Sequence, residues 1–289
     1  MTMKKSFLKN KKNIQFLIIG LGLIGGSVAK RLSKNGFEVL ALEKNSSNFN
    51  LAKKVKIIKG GLEKIDGKKK LFIIIALPPK ILLTKFHQYV DLFLRADFIT
   101  DCTSVKESLL KQVKKNNLQS KFILSHPIAG SEKSGFLNSN DNMFKDKVSI
   151  ISEHKGLKKD TLQTCKEIWF ELGSKTYNLD PKLHDKIFSL TSHLPHIVAF
   201  SLISLFSKRK ASEYKKFIGG GLKDFTRIAE SDPQMWENIF SLNKKNILKD
   251  IKDIEKELNK IKNFILKDEG TKLEAHLKKI KKTKESLNR

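Results

Sequence analysis

Cysteine is nearly absent. Cys102 and Cys165 are the only two thiols in 289 residues, too few for a disulfide framework and in keeping with a reducing compartment. Long apolar runs are also missing: no stretch reads as long and apolar enough to cross a bilayer, so no membrane partner is expected. Arginine is scarce. Of 57 basic residues, those at 31, 95, 209, 227 and 289 are arginine and the other 52 are lysine. A net charge of +27 would by itself point to nucleic acid. Readers of phosphates and bases favour the bidentate arginine fork, however, and lysine spread through every segment reads as a solvated surface. No nucleic-acid partner is expected, and each arginine becomes more informative.

With 39% hydrophobic residues the chain can bury two modest cores, and two domains are expected. Lys4, Lys5, Lys9, Lys11 and Lys12 precede the apolar run 16–24 in the order of a signal peptide. The glycines inside that run explain it better as strand, phosphate turn and helix, so an uncleaved cytoplasmic protein is expected. Strand patterns fall at 14–19, 38–42, 71–76, 98–101, 122–125, 148–152 and 175–179, with helical patterns at 24–35, 81–94, 105–116 and 157–172. This alternation predicts an α/β fold, a Rossmann-type doubly wound parallel sheet over residues 1–180. From Asp180-Pro181 onward the periodicity is helical, over 187–206, 235–248 and 251–266, with a lysine-rich helical tail from 267. Residues 181–289 therefore read as all-helical, with Gly219-Gly220-Gly221 as their one strong loop signal.

Gly20-x-Gly22-x-x-Gly25 follows the first strand and opens the first helix, the context in which this pattern binds a dinucleotide. Leu23 and Ile24 lie inside that turn, at the helix N-terminus that would face a pyrophosphate. Glu43 ends the second strand, where a carboxylate would accept from a ribose diol and repel a 2′-phosphate. NAD is favoured, with NADP possible because Lys44 is adjacent. Ala76, Leu77 and Pro78 at the end of the third strand would lie along the cofactor.

The fifth strand runs into Ser125-His126-Pro127-Ile-Ala-Gly130-Ser131-Glu132-Lys133-Ser134-Gly135. An imidazole is thus placed at the carboxyl end of a buried strand, where open α/β sheets bind ligands. With the glycine turn on the same sheet, this suggests a nicotinamide-dependent oxidoreductase with His126 as acid/base; an unperturbed imidazole titrates near ~6.5. Ser104, in Asp101-Cys102-Thr103-Ser104-Val105-Lys106, can both cap the next helix and face the site. Ser192-His193-Leu194-Pro195-His196 sets two imidazoles in an apolar helix; they need partners, and His184-Asp185 offers a carboxylate. No third ligand sits at metal-binding spacing, so no metal is expected. Arg227 can pair with Asp224 or clamp a substrate carboxylate, and Asp232-Pro233 opens a helix with Trp236 on its first turn.

Read in order, GLGLIGGS, DCTSVK, SHPIAGSEKSG, SHLPH and GGGLKDFTRIAESDPQMW resemble the prephenate and arogenate dehydrogenases of tyrosine biosynthesis, to about residue 250. The resemblance implies a Rossmann domain followed by an all-α substrate and dimerisation domain. It also implies a homodimer acting on prephenate or arogenate. By that resemblance His126 is the catalytic histidine, Ser104 meets the substrate hydroxyl and Arg227 holds a carboxylate. His193, His196 and Trp236 would lie at or near the substrate. Cys102-Thr103 departs from the smaller residues often found there.

Overall fold

The structure is a computed structural model that describes residues 8–130, 133–207 and 211–287. Seven strands, β1 (Ile14–Ile19), β2 (Glu38–Leu42), β3 (Lys70–Ile75), β4 (Phe98–Asp101), β5 (Phe122–Ile128), β6 (Val148–Ser152) and β7 (Lys175–Asn178), form one sheet in the order β2-β1-β3-β4-β5-β6-β7. Helices α1 (Leu23–Lys34), α2 (Ser46–Lys54), α3 (Pro79–Arg95), α4 (Glu107–Lys115) and α5 (Lys159–Glu171) accompany the strands. Every residue of β1 is buried. Successive side chains alternate across a strand, so Phe16 and Ile18 join Val28, Leu32 and Trp169 in one core layer. Leu17 and Ile19 join Leu82, Phe86 and Val113 in the other. Burial on both faces is why these strands read as continuous apolar runs.

The sheet is Rossmann-type, with one departure from the expected all-parallel arrangement. β5 pairs antiparallel with β6, with His126 opposite Ile150 and Pro127 opposite Ser149. Antiparallel neighbours need no helical crossover, and among the described residues the chain between them holds no α-helix, with a short 3₁₀ turn, Phe136–Asn138, beside α1. Pairing with β6 also carries β5 on to Ile128, so His126 and Pro127 lie inside the strand rather than just beyond it. No element was expected over 46–54, where α2 forms. Asn45 caps it by accepting from the Asn48 N–H at 3.0 Å.

Beyond β7 the described chain is helical: α6 (Pro181–Phe188), α7 (Leu194–Ser207), α8 (Ala211–Tyr214), α9 (Gly220–Thr226), α10 (Pro233–Leu242), α11 (Lys244–Leu266) and α12 (Gly270–Ser286). A π-helical turn, Ser189–His193, joins α6 to α7 into 27 continuous residues. By length and composition this helix could cross a bilayer, which corrects the sequence expectation. Its buried side chains include His184, Asp185, Ser189 and His193, however, and their hydrogen-bond partners lie within the protein. Two further differences concern breaks. Gly220 and Gly221 begin α9 instead of forming a loop, and α11 runs unbroken through 249–250.

Candidate active site

In the observed strand order β1 lies between β2 and β3, so the chain leaves β1 at the point where the connections change direction. The glycine turn sits there. Gly20 adopts φ +93°, and a Cβ on it would lie 2.8 Å from the Ala76 carbonyl oxygen. A Cβ on Gly25 would come within 1.9 Å of the Gly20 oxygen, so α1 can approach β1 this closely only through glycine. A Cβ on Gly22, by contrast, would meet nothing within 4 Å. That open cradle at the N-terminus of α1 fits a pyrophosphate, with Leu23 and Ile24 in the first turn and Leu77 and Pro78 entering α3 alongside. Glu43 bends over the turn, accepting from the Leu21 N–H at 2.5 Å and the Asn45 N–H at 2.7 Å. Its carboxylate is therefore held at the carboxyl end of β2, on the side expected for a ribose.

Along the same edge, β4 and β5 are locked by a buried ion pair. Lys106 Nζ donates to Asp101 Oδ2 at 2.5 Å and to the Ser125 carbonyl at 2.6 Å, and neither charged side chain is exposed. Asp101 also accepts from the Thr103 hydroxyl and from the Ser125 N–H at 3.1 Å. Two of these bonds, from Lys106 to the Ser125 carbonyl and from the Ser125 N–H to Asp101, hold the residue before His126.

His126 Nδ1 lies 2.9 Å from His184 Nε2, and His184 Nδ1 lies 2.8 Å from Asp185 Oδ1. The Phe188 ring centre is 4.9 Å from that of His126 and 4.5 Å from that of His184. Burial first, and then the neighbouring His184, Lys106 and His193, which disfavour a further proton, push the His126 pKa well below the ordinary imidazole value. The unperturbed titration taken from the sequence is thus corrected downward. Burial also lowers His184 and His196, and takes His193 down to about 4.

The SHLPH histidines form a second cluster on the helical side. His196 stacks on Trp236 with ring centres 3.7 Å apart, and its Nδ1 bonds the Ser192 carbonyl at 2.8 Å. His193 Nδ1 lies 3.1 Å from Asn243 Nδ2, which donates at 2.7 Å to the Asp185 carbonyl. Trp236 packs with Val105 and Ile239, which ties the loop carrying Ser104 to α10. Its indole N–H is buried with no hydrogen-bond partner among the described residues.

Two readings of single residues change. Ser104 does not cap α4. That role falls to Asp185, whose Oδ1 and Oδ2 accept from the Lys106 and Glu107 N–H groups at 2.8 and 2.9 Å. Nor does Asp185 serve the SHLPH histidines by its carboxylate; it bonds His184 instead. Arg227 is exposed and, among the described residues, has no ion pair with Asp224. Its short helical turn, Arg227–Glu230, packs on α7. Ser131 and Glu132 of the loop after β5 lie outside the described residues. Sequence reasoning missed Phe188 and Asn243, which carry no local signature, and gave Lys106 no role.

A neutral imidazole on the edge that also carries a dinucleotide cradle suits removal of a hydroxyl proton as hydride leaves the same carbon. The fold and site therefore define a dinucleotide-dependent oxidoreductase. Residues 28–178 match the family model "Prephenate dehydrogenase, nucleotide-binding domain", and residues 180–279 match "Prephenate dehydrogenase, dimerization domain". A prephenate dehydrogenase of Lactococcus lactis is 32% identical over 94% of this chain and 77% of its own. A cyclohexadienyl dehydrogenase of Zymomonas mobilis is 26% identical over 93% of this chain and 94% of its own. The crystal structure of prephenate dehydrogenase from Aquifex aeolicus with hydroxyphenyl propionate and NAD+ superposes with a TM-score of 0.84. That protein is 34% identical, with 94% of this chain and 98% of the other covered. This chain belongs to the prephenate dehydrogenase family.

Proposed function

We propose that the chain oxidises prephenate with NAD⁺ and releases CO₂ and 4-hydroxyphenylpyruvate, a step toward tyrosine. The observation that carries this reading is the His126 imidazole, held by His184 on the sheet edge that bears the open glycine cradle. Bound in that cradle, NAD⁺ supplies the hydride acceptor. His126 accepts the proton of the ring hydroxyl as hydride leaves the carbon beneath it. The bond to the ring carboxylate then breaks and its electrons aromatise the ring, after which His126 can return the proton to the phenolate oxygen. Ser104 orients the hydroxyl, and Arg227, free of any ion pair among the described residues, holds a substrate carboxylate. His193, His196 and Trp236 line the substrate side.

Gly20, Gly22, Leu23, Ile24, Gly25, Glu43, Ala76, Leu77 and Pro78 make the cofactor site in this reading. Residues 1–180 act as the dinucleotide domain, and residues 181–289 bind substrate and join a second copy. A homodimer is supported by the match to a dimerization-domain family and by exposed apolar side chains on the continuous helix, Leu190, Ile203 and Leu205. A cytoplasmic location, with no nucleic-acid or membrane partner, completes the proposal. Arogenate is the alternative substrate, favoured by the similarity to a cyclohexadienyl dehydrogenase. Purified protein supplied with NAD⁺ or NADP⁺ and either prephenate or arogenate decides among these, followed by absorbance of the reduced nicotinamide. Turnover of prephenate with NAD⁺ is expected; turnover of arogenate alone rejects the primary reading.

A further inference from the structure

Asp185 touches both halves of the molecule through one buried carboxylate. Oδ1 accepts from the Lys106 N–H at 2.8 Å and lies 2.8 Å from His184 Nδ1, while Oδ2 accepts from the Glu107 N–H at 2.9 Å. Asp185 is 1% exposed and His184 0%. Against an oxygen that already accepts, His184 Nδ1 can only donate. In a neutral ring this leaves Nε2 with the lone pair, and Nε2 is the atom 2.9 Å from His126 Nδ1. His126 Nδ1 must then carry the hydrogen, and the lone pair of His126 sits on Nε2. Of the two tautomers open to His126, only this one has a partner in the relay.

We propose that Asp185 and His184 are positioning residues that set the base tautomer of His126, with the same carboxylate fastening the α4 N-terminus that follows the Ser104 loop. The relay thus presents a proton acceptor at Nε2 and keeps the loop bearing the hydroxyl-orienting serine in register with it. Chain order brings the carboxylate from α6, in the helical half, to the first turn of α4, so docking of the two halves completes the base. The inference rests on the reading of His126 as the base, and it adds the two residues that ready it.

Glutamine separates this role from packing. The amide of a His184→Gln variant can donate to Asp185 through its nitrogen and accept from His126 through its oxygen, whereas His184→Leu offers neither group. Two readouts are needed. The first is ¹⁵N spectroscopy of histidine-labelled protein at neutral pH, with the His126 resonances identified by their loss in His126→Asn. Hydrogen is expected on Nδ1 and not on Nε2 in the unmodified protein and in His184→Gln, and a mixture of tautomers in His184→Leu. The second is steady-state kinetics with prephenate and NAD⁺. His184→Leu should lower kcat on the order of 30-fold or more with KM changed less than about threefold, and His184→Gln should recover kcat to within about fivefold. If His184→Leu does not fold, Asp185→Asn takes its place, since an amide cannot accept at both of its positions. Hydrogen on Nε2 of His126 in the unmodified protein overturns the proposal, as do equal tautomer ratios and equal kcat in the Leu and Gln variants. Should prephenate not be turned over at all, the functional reading fails and the spectra alone still decide the relay.

Discussion

At the scale of single residues, the chemistry depends on what burial does to imidazoles. An exposed histidine would lose its basic form as the pH drops through about 6.5. His126, packed beside Phe188 with His184, His193 and the Lys106 ammonium nearby, holds its basic form further down. The acid limb of kcat/KM for prephenate should therefore have its midpoint below 6.5, and a midpoint at or above that value would contradict the burial argument. Glu43 sets a second expectation. Its carboxylate lies over the glycine turn within reach of two backbone N–H groups, so NAD⁺ should exceed NADP⁺ in kcat/KM by about tenfold or more. Glu43→Ala should shrink that ratio, and equal use of both cofactors by the unmodified protein would reject the assignment.

Among the elements, the sheet was legible because its central strands are buried on both faces and each run of apolar residues marks one strand. Strand direction leaves no such mark, so the antiparallel β6 and the extension of β5 through Pro127 appeared only in three dimensions. α2 stayed hidden because Ser46, Ser47, Asn48 and Asn50 dilute its apolar face, with Ala52 its one fully buried residue. The sequence also marked where His126 and the glycine turn lie, at the carboxyl ends of strands on one sheet edge, because each is announced by its own local pattern. The site was not legible where a role depends on a distant partner: Asp185 caps a helix 79 positions away in the chain. The π turn and α7 carry an acid-sensitive load. The folded pKa of His193 is depressed to about 4, below its unfolded value near ~6.5, so the unfolded chain binds more protons between those values. Stability is fully present above about 6.5 and falls as the pH drops toward 4, with His126, His184 and His196 shifted in the same direction. Urea midpoints should decline over that window, and His193→Gln should flatten the decline; an unaltered slope would remove His193 from the account.

For the whole molecule, the two halves meet through the Asp185 carboxylate and through Val105 against Trp236, and the helical half leaves apolar side chains uncovered. Phe217 is 85% exposed and Leu205 51%, apolar side chains that a second copy would cover. Sedimentation should find a species of twice 33.0 kDa, and a single 33.0 kDa species at micromolar concentration would count against the dimer. Dispersed lysine gives the molecule a positive field that attracts a dianionic substrate without focusing it, so recognition must come from the site itself. The most direct measurement of the central claim is steady-state turnover of prephenate by His126→Asn, together with its NAD⁺ affinity by fluorescence titration. A kcat lowered by about 10²–10⁴, with NAD⁺ affinity and thermal midpoint near those of the unmodified protein, is the expected result. Near-normal turnover by folded His126→Asn protein would contradict it.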